Sequence, residues 1–140
     1  MPRIRDFSPG SLDRLADQRL RIPWLEHSGL RGKAWSFTIF FPRFLITAEG
    51  TQETICTNLD EELLQDMLVR HFGGCTANQN PIQGIGRRGN ALETNVHHMI
   101  TVLASRWRGT QRYFRALRRE LEESSGEEQV LILRQDHTIA

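Results

Sequence analysis

The alternation of apolar and polar positions divides the chain into short periodic blocks. "AWSFTIFF" (34–41) is aromatic and β-branched and predicts a strand, with Pro42 limiting its continuation as a central one. "RFLITAEGTQETIC" either continues that strand past a bulge or forms a hairpin about Glu49 and Gly50, and "ETICT" reads as a short edge piece. Asn58 followed by Glu61 gives a cap signature. Leu59, Leu63, Leu64, Met67 and Leu68 then repeat at helical spacing until "HFGG", where Gly73 or Gly74 can take the left-handed conformation. "CTAN" starts a strand, "NPIQGIGRRGN" reads as a turn-rich loop, and "ETNVHHMITVLA" is a second clear strand.

"SRWRGTQRYFRALRRELEESS" predicts a long helix with Thr110, Phe114, Leu117 and Leu121 on one face. At 100° per residue, Arg108, Arg112, Arg115 and Arg119 fall within about 60° of one another on the opposite face. "EEQVLIL" supplies a last strand that "RQDHTIA" can prolong. Strand, helix, strand, strand, helix, strand is the split β-α-β order of a ferredoxin-like α+β domain, an antiparallel sheet with two helices on one face. That domain spans 34–140. Residues 1–33 read as an N-terminal extension in which Ser11 caps a short helix carrying Leu12 and Leu15, ended by Pro23. Arg14, Arg19 and Arg21 make the extension either an arm packed on the domain or a subunit, or an arm for nucleic acid.

A length of 140 residues fits one domain able to bury a core without metal or disulfide staples, and 25% charged residues are ordinary for a globular chain. Cys56 and Cys75 match no zinc spacing and make no disulfide framework, which points to a reducing cytoplasm. The N-terminus lacks a signal-peptide pattern, and no stretch approaches the ~20 apolar residues of a membrane span. Net charge is only +1, yet from Arg70 to Arg119 nine arginines face one acid, Glu93, and the flanks are acidic. Of the 18 basic residues only Lys33 is a lysine. Arginine is the better phosphate fork, because its planar guanidinium can bond two oxygens at once.

"GIGRRG" contains a formal G-x-G-x-x-G at Gly84, Gly86 and Gly89, but a strand follows it rather than a helix. No acid lies between Glu93 and Glu120 to hold a ribose, so a dinucleotide cradle is not expected. A loop exposing consecutive N–H groups, with Arg87 and Arg88 as clamps, can still hold an anion; the alternative is a plain turn with solvated charge. The four like charges on the long helix repel one another and call for a neutralising partner: nucleic acid, the acidic run from Glu120 to Glu128, or another subunit. The strand aromatics Trp35, Phe37, Phe40 and Phe41 do not match the ribonucleoprotein motif of RNA-binding sheets. His97 and His98 alternate across their strand and cannot ligate one ion together, so neither metal nor cofactor is expected. A pocket bringing Cys75, His97 or His98 and an arginine together would suit a small enzyme.

"FGGCT", the glycine segment, "VHHMITVLA" and "GEEQVLIL" together resemble a group of small bacterial α+β proteins of unknown function. These share a helix ending in Phe-Gly-Gly-x-Thr, a glycine-containing loop, a strand, a helix and a last strand. The resemblance covers roughly residues 34–135 and implies the fold but no activity; this chain has Gly86-Arg87 where such loops often carry Gly-x-Trp. The resulting expectation is a cytoplasmic homodimer, formed through the sheet face or by exchanged strands, that binds nucleic acid or another polyanion through its arginines. A ligand-binding or enzymatic pocket and a dimeric scaffold for proteins are the alternatives.

Overall fold

The computed structural model describes residues 6–30, 32–46, 50, 52–88, 91–127 and 129–140. It is a mixed α+β structure in which a curled antiparallel sheet carries two long helices and a short helical N-terminal segment. The elements are α1 (Gly10–Asp13), α2 (Pro23–Ser28), β1 (Lys33–Ile46), β2 (Gln52–Thr54), α3 (Asn58–Phe72), β3 (Thr76–Arg88), β4 (Ala91–Ser105), α4 (Arg108–Ser125) and β5 (Ile132–Thr138).

The strand order is β2-β1-β4-β3, and β5 also pairs with β1, alongside its Lys33–Ile39 half. β1 is therefore central despite Pro42. Pro42 pairs with His97 but falls between the parts of β1 that pair with β5 and with β2, and the register shift that follows leaves out Arg43 and lets the strand run on through Ile46. Alternation sorts the residues: Trp35, Phe37 and Ile39 with Ile100, Val102 and Ala104 face the helices and are buried. Ser36, Thr38, Met99, Thr101 and Leu103 take the other face.

α3 opens one residue before the expected cap. Thr57 accepts from the Asp60 N–H at 3.2 Å, and the Asp60 carboxylate accepts from the Thr57 N–H at 3.0 Å. Asn58 is free of capping duty and bonds Arg43 instead. Gly73, at φ 89°, ends the helix as predicted. In the extension Ser11 lies inside α1, which begins after Pro9, and Pro23 starts α2 rather than stopping a helix, since a first-turn proline gives up no needed N–H. Phe7, Leu12 and Leu20 sit in the same core cluster as Phe37, Leu64 and Phe114.

The glycine segment, expected as a loop, is strand as far as Arg88 and makes up the second part of β3, while Gly89 and Asn90 lie outside the described residues. Gly84 pairs with Asn95 and Gly86 with Glu93, so ladder bonds from β4 override a turn-like composition. The extra residues between Asn78 and Ile82, with Pro81 among them, form an irregularity in this edge strand.

The sheet and α4 meet at Phe37 and Phe114, whose rings stack with centroids 3.9 Å apart. Phe72 stacks on Phe114 at 5.3 Å, bringing α3 to the same point. Each such pair adds about 0.5–1.5 kcal/mol beyond burial. Phe114→Ala is expected to lower unfolding free energy by about 3–5 kcal/mol. Val69→Ala, on the exposed face of α3, should stay within about 0.5 kcal/mol. Urea denaturation of both variants checks this.

Candidate functional site

α4 buries Thr110, Tyr113, Phe114, Leu117 and Leu121 and leaves Arg108, Arg112, Arg115, Arg118 and Arg119 exposed. None of these five arginines forms an ion pair with another described residue. Two members of the acidic run spend a carboxylate oxygen on backbone N–H groups. Glu120 accepts from the Ser8 N–H and Glu122 from the Val130 N–H, each at 2.9 Å. Glu128 lies outside the described residues.

Two cavities flank α4, and both are walled by arginine. One, of about 280 Å³, sets Arg115, Arg118 and Arg134 above Phe37, Phe114 and Ile132. Arg134, from β5, is braced by Trp35, its guanidinium 4.6 Å from the ring centroid. The other, of about 260 Å³, lies at the start of α4 and joins Arg108 and Arg112 to Arg14 and Arg19 of the N-terminal segment. Arg19 stacks 4.2 Å over Trp107 and pairs with Asp17 at 2.9 Å. Trp107 can fold over the helix start only because residue 109 is glycine: a Cβ there would stand 2.1 Å from the ring.

Sequence reasoning pointed to the α4 arginines but not to Arg14, Arg19, Arg118 or Arg134 as their companions. The glycine segment does not join them. Gly84 and Gly86 have no positive φ, so β3 offers no nest of the αL kind. β3 lies three strands from β5, roughly 14 Å across the sheet, so Arg87 stands at the edge opposite the first cavity. The Arg88 side chain and Gly89 fall outside the described residues.

The trio Cys75, His97 and His98 is not assembled. Burial pushes the Cys75 thiol up, away from reactivity. His97 lies on the open sheet face against Phe40, ring centroids 6.2 Å apart, and burial holds its imidazole below the usual range. His98 points the other way, under α3, as strand alternation requires. Its Nδ1 lies 2.8 Å from Glu61 Oε1 and 3.1 Å from Oε2. Arg43, 6% exposed, places Nη1 3.5 Å from Glu61 and donates from Nη2 to Asn58. Sequence reasoning missed this cluster, although an arginine inside the apolar run "FFPRFLI" was a signal for it. No group of three or more metal-ligating side chains occurs among the described residues.

No family model, curated protein or solved structure matches the chain.

A second histidine cluster ties the N-terminal segment down. His71 lies 2.7 Å by Nε2 from Asp13 and 2.6 Å by Nδ1 from the Tyr113 hydroxyl. The arrangement fits a neutral ring donating to Asp13 and accepting from Tyr113. Burial lowers the His71 pKa and outweighs the Asp13 carboxylate, which raises it. Burial also opposes charge on Asp13, but hydrogen bonds from Arg70 and His71 outweigh it and keep that carboxyl low. With the folded-state values of His71 and His97 below the unfolded value of about 6.5, the unfolded chain binds more protons in that window. Stability is therefore expected to fall as pH drops below about 6.5. Urea midpoints at successive pH values should show that loss, and His71→Gln should reduce it.

Proposed function

We propose that the protein is a non-enzymatic binding module that grips a phosphate-bearing polyanion, nucleic acid foremost, with the exposed side of α4. The observation that carries this is five exposed arginines on one helix that make no ion pair among the described residues, while Glu120 and Glu122 of the same helix are bonded to backbone N–H groups. The two arginine-walled cavities extend the surface to both flanks, and aromatic side chains brace Arg19 and Arg134 so that less side-chain freedom is lost on binding. Counterion release makes such a surface strong at low salt.

The fold proposed for this module is ferredoxin-like, supported by the order β5-β1-β4-β3 with every pair antiparallel and β2 as an added edge piece. A cytoplasmic location is supported by two free cysteines, and no described helix is long and apolar enough to cross a membrane.

The oligomer proposed is a homodimer through the open sheet face. Ser36, Thr38, Phe40, Met99, Thr101, Leu103, Leu133 and Gln135, on the part of that face between β5 and β4, carry no formal charge, and Glu93 lies farther along β4 on the same side. A neutral face repels no second copy of itself and suits a twofold interface. Leu103, 42% exposed, and Leu133, 49% exposed, would be covered. Sheets packed face to face would turn both α4 surfaces outward.

Titration against single- and double-stranded DNA and RNA at several salt concentrations tests the binding reading. Changing Arg112, Arg115 and Arg119 to Ala should weaken binding and reduce the salt slope by up to about 0.9 for each lost phosphate contact. Absence of binding at low salt would sink it. Sedimentation of Leu103→Arg with Leu133→Arg should give a monomer from a wild-type dimer; a monomeric wild type would reject the interface.

A further inference from the structure

The Glu61–His98 cluster opens onto a third cavity, of about 280 Å³, between α3 and β4. It is lined by Asn58, Glu61, Glu62, Gln65 and His98, with no apolar side chain among them. Its walls are preorganised. Gln65 donates to Glu61 at 3.3 Å, His98 Nδ1 is held by the same carboxylate, and Arg43 braces Glu61 and Asn58 from the strand side. Arg43 is buried, yet its Nε and Nη1 make no hydrogen bond in the structure. His98 donates from Nδ1 to Glu61, so in the neutral ring the lone pair is on Nε2, which has no partner among the described residues.

The chemistry of the lining selects a ligand class. Two carboxylates disfavour anions, so this cavity does not duplicate the arginine surface. Although the lining includes Glu61, Glu62 and His98, no three such side chains among the described residues are grouped to hold a metal. An all-polar wall with carboxylate and imidazole acceptors beside amide donors matches hydroxyl groups, each of which both donates and accepts. The volume lies just under the ~300–1,000 Å³ of sites for drug-sized ligands, so the ligand is small. We propose that this cavity binds a small uncharged polyhydroxyl molecule of the sugar or polyol class, with His98 Nε2 accepting a hydrogen bond from one ligand hydroxyl. The site is separate from α4, and its failure would leave the polyanion reading untouched.

The test uses the full chain with ¹⁵N-labelled imidazoles, titrated with D-glucose, myo-inositol and glycerol, and with spermidine and inorganic phosphate as charged comparisons. His98 should show a protonated Nδ1, and its Nε2 resonance should shift with at least one neutral polyol. Diethylpyrocarbonate labelling gives a second readout. His98 should react, the polyol should slow that reaction, and His71, with both ring nitrogens bonded, should stay unmodified as the internal reference. Glu62→Gln, an exposed substitution that leaves the Glu61–His98 pair in place, should weaken polyol binding about tenfold, the loss of one hydrogen bond to a charged group. Glu61→Gln should also change the His98 tautomer signal; should that variant not fold, Glu62→Gln still decides. A response to spermidine or phosphate alone, no response to any polyol, or equal affinity in Glu62→Gln would overturn the proposal.

Discussion

The stack of Phe37 on Phe114 is the contact on which the rest of the molecule depends. Among the described residues β1 alone pairs with three other strands, so whatever holds α4 against β1 also sets the helix relative to β2, β4 and β5. Phe72 and Tyr113 close on the same ring, which ties α3 into the cluster. His71 then carries the tie to α1 through Tyr113 and Asp13, so a terminal segment of short helices is docked by one relay, buried at Tyr113 and exposed at Asp13, as well as by Phe7, Leu12 and Leu20.

This packing separates charge by region. Phe37 and Phe114, holding α4 down by its apolar side, also floor the cavity whose rim is Arg115, Arg118 and Arg134. Across the sheet, α3 covers a carboxylate, an imidazole and a guanidinium that satisfy one another in part. The open sheet face between β5 and β4 carries almost no charge. A basic flank, an acidic polar cavity and a neutral face on one small domain are suited to different partners, and none of them competes with another for the same chemistry.

Much of the fold was legible in local pattern. Period-two and period-3.6 spacing located β1, β4, α3 and α4, and the faces of α4 came out as drawn, with Thr110, Phe114, Leu117 and Leu121 inside and the arginines outside. Alternation alone put His97 and His98 on opposite sides of the sheet. The glycine segment misled because Gly, Pro and Asn report local turn preference, whereas ten paired positions with β4 supply a ladder that local preference cannot anticipate.

What the chain by itself determined was periodicity and its consequences: which residues share a face, that α3 stops at the Gly73-Gly74 pair, and that a strongly basic stripe would line one side of α4. Tertiary structure alone decided which distant residues meet. Arg43, Asn58, Glu61 and His98 come from one strand, one helix and another strand. Arg14 comes to α4 from just after α1, and Arg134 from the last strand. Spacing along a chain encodes only neighbours within an element, while a binding cavity is made by residues whose proximity depends on how sheet and helices pack.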